Sequence, residues 1–95
     1  MTPIDYHARV LVPEHVLVQE LDGEAVLLNL KSETYFGLDE VGMRMWQALT
    51  TSPTVQNAYD ALLEEYEVLP GTLQHDLDEL LGRLVEQGLV VVEDG

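Results

Sequence analysis

The 95-residue chain reads as an α+β domain: a three-stranded antiparallel sheet followed by three helices. Three observations carry that reading. Two apolar, β-branched runs meet at Asp22-Gly23, a strong hairpin signal. From Asp39 onward the apolar residues switch to helical spacing. Strand-like and helix-like segments are segregated along the chain rather than alternating, which argues α+β. At this length residues 1–95 form one domain, and its helices must cover one sheet face, because three isolated strands would not stand alone.

In chain order, Met1 to Pro13 is poorly patterned. Val10-Leu11-Val12 is a candidate short strand bracketed by Pro3 and Pro13, and the first few residues are expected to be loose. Val16 to Leu21 and Glu24 to Leu30 form the hairpin, and Lys31-Ser32-Glu33 turns the chain into Thr34–Leu38. In that third strand Thr34, Phe36 and Leu38 share one face and Tyr35 and Gly37 the other. Phe36 and Leu38 are expected to point inward, with Tyr35 partly exposed or packed on a helix.

Asp39 is suited to cap the first helix, since its carboxylate accepts orphan N–H groups. Val41, Met45 and Leu49, widened by Trp46, form its inner stripe. Gly42 in the first turn predicts close approach of another backbone, because glycine otherwise costs about 1 kcal/mol in a helix. This helix ends near Thr50–Ser52, before Pro53. Thr54 to Tyr66 is the second helix, with Val55, Ala58, Tyr59, Leu62 and Tyr66 facing inward. Asp60, Glu64, Glu65 and Glu67 belong to its solvated remainder. The third covers about Thr72 to Gln87, with either Pro70 as first helical residue or Thr72 as cap. Its inner stripe is Leu73, Leu77, Leu81 (or Leu80) and Leu84, and Gly88 stops it. Leu89 to Val92 is a last strand or wing, and Glu93-Asp94-Gly95 is expected to fray.

Composition narrows the function. Eighteen acidic against four basic residues give a net charge of −14. That opposes nucleic acid and anionic membrane surfaces, and it favours a basic partner at low salt, unless it serves solubility alone. There is no cysteine, hence no disulfide frame or thiolate chemistry. No signal peptide and no run approaching the roughly 20 apolar residues of a bilayer span is present, so the cytoplasm is the expected compartment.

Little catalytic chemistry is available. His7, His15 and His75 lie on separate elements with no metal-ligand spacing, and His75 beside Asp76 reads as solvent-facing. Asp76, Asp78 and Glu79 lie on a helix face in water, where paired carboxylates lack the desolvated cleft that splits their pKa values. No glycine-rich phosphate loop is present. The reading is a protein that is not an enzyme and uses no cofactor and no metal.

What remains is a binding surface. A strand edge carries unpaired N–H and C=O groups that accept a foreign strand. The candidate edge is Thr34, Tyr35, Phe36, Gly37 and Leu38. Three to five backbone hydrogen bonds at about 1 kcal/mol each bind weakly, so side chains must add to them. Candidate walls are Tyr35 together with Asp76, Leu80 and Arg83 at i, i+4 and i+7 of the third helix. Leu80 offers apolar surface, Asp76 suits a guest cation and Arg83 a guest carboxylate. The competing reading makes Leu80 core, Asp76–Arg83 an intrahelical pair and Tyr35 an ordinary packing residue.

The run Leu28-Asn29-Leu30, then Tyr35-Phe36-Gly37-Leu38-Asp39-Glu40-Val41-Gly42 and Trp46, resembles the PqqD family. So does the ending Leu77…Leu80-Leu81…Leu84…Gly88-Leu89. Members are also called RiPP recognition elements, after ribosomally made, post-translationally modified peptides. The resemblance covers roughly residues 14–92 and is most specific from Tyr35 to Trp46. It implies a winged helix-turn-helix-like fold. It also implies binding of a precursor's leader segment as an added strand, here beside Thr34–Leu38 and against Thr72–Gln87. The partners it implies are the precursor peptide and a separate maturation enzyme; the sequence leaves the oligomeric state open, with a monomer as the expectation.

The wording of the motif looks closer to the stand-alone proteins of lasso-peptide clusters, which work with a leader peptidase. In that branch a leader tyrosine and proline dock in an apolar pocket, and the excess acid here would suit a lysine-containing leader. The alternative branch resembles PqqD itself, which serves a radical SAM enzyme. Outside the family, a DNA-binding regulator shares the helix-turn-helix topology, but the third helix carries Arg83 against Asp76, Asp78, Glu79 and Glu86, the wrong balance for a DNA reader. A self-pairing dimerisation module or a small accessory subunit completes the alternatives.

Overall fold

The computed structural model describes residues 5–93. The order is β1 (Arg9–Leu11), β2 (Val16–Leu21), β3 (Glu24–Asn29), β4 (Thr34–Leu38), α1 (Glu40–Thr51), α2 (Val55–Glu65), α3 (Pro70–Glu86) and β5 (Val91–Glu93). The expected meander is present: β2, β3 and β4 pair in that order, with β3 central. Asp22 and Gly23 both have positive φ, 51° and 82°, as a two-residue hairpin matched to strand twist requires. β3 ends at Asn29 rather than Leu30, whose N–H still reaches the His15 carbonyl at 2.9 Å.

The period of two divides the sheet. Val16, Ala25, Leu27, Asn29 and Leu38 are buried on the inner face, with Phe36 packed at its margin. α1 packs beneath β3 and β4, α2 on α1, and α3 on α2. The α1 stripe is buried at Met45, Trp46 and Leu49, but Val41 is 48% exposed. It lies in the turn directly after the edge strand, where the helix has not yet passed under the sheet. Gly42 also differs from expectation. A Cβ there would meet the Asp39 carboxylate at 3.2 Å and the Leu38 side chain at 3.3 Å, so the close neighbour is the helix's own cap and not another backbone. Asp39 does cap α1, accepting from the Gly42 N–H at 2.7 Å.

The poorly patterned N-terminal segment has a definite task. The Tyr6 and Ala8 carbonyls accept from the Gln56 and Val55 N–H groups at 2.8 and 2.9 Å. With Thr54 Oγ1 accepting from Asn57 N–H, these bonds satisfy three of the four orphan donors that open α2. β1 then pairs antiparallel with β5, Val10 opposite Val92. The wing-like ending therefore joins the N-terminal segment instead of the main sheet. Glu93 is paired with Arg9 in that ribbon and does not fray. The expectations for residues 1–4 and 94–95 lie outside the described residues.

α3 starts at Pro70, with Leu69 as its cap position, so Thr72 is not the cap. Proline at the first position wastes no hydrogen bond and fixes a helical φ. At the other end Gly88 takes φ 70°, and Leu89 N–H and Gly88 N–H return to the Leu84 and Val85 carbonyls, a Schellman closure. Leu73, Leu77, Leu81 and Leu84 are buried, whereas Leu80 is half-buried at the edge of the core. No helix among the described residues is long and apolar enough to cross a membrane.

Candidate functional site

β4 pairs with β3 on one side only and is an edge of its sheet among the described residues. Its five residues therefore leave half of their main-chain groups unpaired by strand. Side chains on this edge alternate as expected. Leu38 is buried and Phe36 half-buried, while Tyr35 is 79% exposed and packs on no helix face. Tyr35 stands opposite Leu28, which stands opposite Leu17. This row, with Val26 beside Gly37, leaves the outer face of the sheet apolar and open.

The three predicted helix residues fall together. Asp76, Leu80 and Arg83, joined by Glu79, line an open hollow of about 210 Å³ on one flank of α3. Sequence reasoning missed Glu79. It takes Arg83 Nη2 at 3.0 Å, with His75 Nε2 at 3.6 Å. The expected alternative of an Asp76–Arg83 pair is not what forms: a four-residue step aligns side chains on a helix better than a seven-residue one for so short a reach. Arg83 is thus turned back on its own helix.

A second residue organises both walls. Asn29 is a buried polar side chain on the inner sheet face. Its amide donates to the Gln87 carbonyl at 3.0 Å and lies 3.4 Å from that of Gly88. Its carbonyl accepts from Lys31 and Ser32 N–H at 3.0 and 3.3 Å. One side chain therefore shapes the turn that launches β4 and pins the C-terminal end of α3. The close packing at Gly88, where a Cβ would sit 3.1 Å from the Asn29 amide nitrogen, belongs to the same junction. β4 packs on β3 and α1, and α3 on α2; the Asn29 junction ties the turn before β4 to the C-terminal end of α3. The signal in the sequence was parity: Asn29 falls on the same face as Ala25 and Leu27.

A three-stranded sheet with an open edge, three helices and the β1–β5 ribbon define an α+β domain of the kind the residue runs suggested. The family model described as Coenzyme PQQ synthesis protein D (PqqD) matches residues 24–90, and the chain belongs to that family. Two solved structures share the fold. One is described as TbiB1 in complex with the TbiA(beta) leader peptide, at TM-score 0.78 and 36% identity, covering 84% of this chain and 93% of that one. The other is a lasso peptide synthetase B1 complexed with the leader peptide, at TM-score 0.78 and 25% identity, covering 88% and 99%. Both relatives match the description of a RiPP recognition element. A comparison with curated proteins found no match.

Proposed function

We propose that this protein binds the leader segment of a ribosomally made precursor peptide and delivers it to a separate maturation enzyme, the leader peptidase of a lasso-peptide pathway, without performing catalysis itself. The observation that carries the reading is the unpaired edge of β4. The two relatives captured with leader peptides support it. The guest adds as a strand beside Thr34–Leu38, with the Asp76, Leu80 and Arg83 flank of α3 as the facing wall. Three to five backbone bonds supply about 3–5 kcal/mol, only millimolar affinity by themselves. Burying guest apolar surface against Leu80 and Phe36 at about 25 cal/mol per Å² supplies the rest. The outer face of the sheet stays uncovered by this guest and remains free for a second protein, since exposed apolar patches mark interaction sites.

The family description favours a second reading, in which the enzyme served is a radical SAM protein of the quinone-cofactor kind. Leader binding is common to both. A fluorescein-labelled TbiA(beta) leader, titrated with the protein and followed by fluorescence polarisation, tests it. Saturable binding that is lost in Leu80→Asp supports the site. A flat isotherm, or binding unchanged in Leu80→Asp, removes it.

A further inference from the structure

We propose that Asp76 makes the helix wall selective for a guest strand carrying a basic side chain two positions from an apolar one. This rests on the strand-addition reading above and names the chemistry of the guest.

The four groups lining the hollow are not equivalent. Arg83 is held by Glu79 at 3.0 Å, and Glu79 is held in turn by Arg83 and His75. Each neutralises the other, so neither offers a free charge. Leu80 is apolar. Asp76 makes no hydrogen bond or ion pair among the described residues, and it is exposed. Asp78, by contrast, is already bonded to Tyr6. The chain has four basic residues in all, and Arg44 and Arg83 are both paired internally, the former with Glu65 at 2.6 Å. The domain therefore has little cationic charge of its own to place on Asp76, and its overall −14 draws a basic guest toward it.

The spacing fits a strand. Asp76 and Leu80 are one turn apart, about 6 Å along the helix. Side chains on one face of a strand repeat every second residue, about 6.6–6.8 Å. A guest strand lying along this flank of α3 would place one inward residue against Leu80 and the next inward one beside Asp76. Arg83 contributes no competing attraction for an acidic guest while Glu79 holds it.

A random octapeptide library displayed on phage, selected against the purified protein, tests this. The wild-type protein should enrich Lys or Arg two positions from an apolar residue. Asp76→Lys should exchange that position for Asp or Glu. Glu64→Lys, an equal charge change at an exposed position of α2, should leave the preference as it is. Arg83→Gln, which releases Glu79, should strengthen it. For a resynthesised peptide, exchanging the basic residue for Glu should weaken binding about tenfold at low salt and less at high salt. Identical enrichment by wild type and Asp76→Lys overturns the assignment while leaving strand addition standing. The same holds if Glu64→Lys removes the preference as fully as Asp76→Lys does. Failure to enrich any peptide over the naive library sinks strand addition itself, and the selectivity with it.

Discussion

The two flanks of α3 differ in what holds their carboxylates. Asp76 and Asp78 are two residues apart and point about 200° apart around the helix. Asp78 accepts the Tyr6 hydroxyl at 2.8 Å, Tyr6 meets Tyr59 edge-on with ring centres 5.8 Å apart, and the Tyr59 hydroxyl donates to the Pro70 carbonyl. That flank is closed over by the chain itself. On the other flank Asp76 is unengaged and Leu80 half-buried. The same residue type therefore serves folding on one side and remains available on the other. The helix sequence alone does not distinguish them, because the difference lies in which distant segment folds against each side.

Asn29 is where this division should break, and it gives the largest expected effect. Asn29→Ala removes the side chain joining the β4 turn to the end of α3 and leaves buried carbonyl and N–H groups without partners. A loss of about 2–3 kcal/mol is expected, read as a lower urea midpoint at unchanged slope. Peptide affinity should fall with it, since both walls are set by that residue. Unchanged affinity in a folded Asn29→Ala protein would show that the walls are positioned by something else.

Leu80→Asp sharpens the comparison from the open side. It should weaken leader binding at least about tenfold, the scale of a residue central to a contact. Stability should fall by about 1 kcal/mol, because Leu80 sits at the margin of the core and is already partly in water. Circular dichroism melting separates the two effects. Tyr35→Ala should do less. Tyr35 is 79% exposed, so melting should be unchanged and affinity should drop about two- to threefold, the contribution of one exposed aromatic flanking a strand.

Most of the fold was legible because local signals agreed with one another. Asp22-Gly23, Asp39, Pro70 and Gly88 mark turns and helix ends through backbone requirements that act within a few residues. The alternation in β4 likewise placed Phe36 and Leu38 inward. The failures were long-range. Val41 has the right helical spacing but lies past the sheet margin. Tyr6 and Ala8 follow no period because their main chain serves the start of α2, and Asn29 is an organiser only because the end of α3 arrives beside it. At the candidate site, helix periodicity put Asp76, Leu80 and Arg83 on one flank of α3, and they line one hollow there. Glu79, one turn before Arg83, was read only as one carboxylate of a solvated face, and it is the residue that pairs with Arg83.

The smallest effect belongs to the closed flank and concerns Tyr6. Burial, and then the hydrogen bond to Asp78, raise its phenol pKa well above the ordinary value of 10.0. In the unfolded chain the group ionises near that ordinary value, while in the folded protein it keeps its proton. The stabilisation is therefore fully present below about pH 10 and is lost as pH rises above it, because the unfolded state then binds fewer protons than the native state. Tyr6→Phe should cost about 1 kcal/mol at pH 7, one hydrogen bond to a charged acceptor at a partly exposed site, and should flatten the decline of stability above roughly pH 10. Urea unfolding of both proteins between neutral and alkaline pH measures the two slopes. Leader affinity at pH 7 should be the same in both, because Tyr6 touches only the flank that faces its own chain. A Tyr6→Phe protein with normal melting but weakened binding would mean that the closed flank also takes part in recognition, and the separation of roles between Asp76 and Asp78 would have to be abandoned.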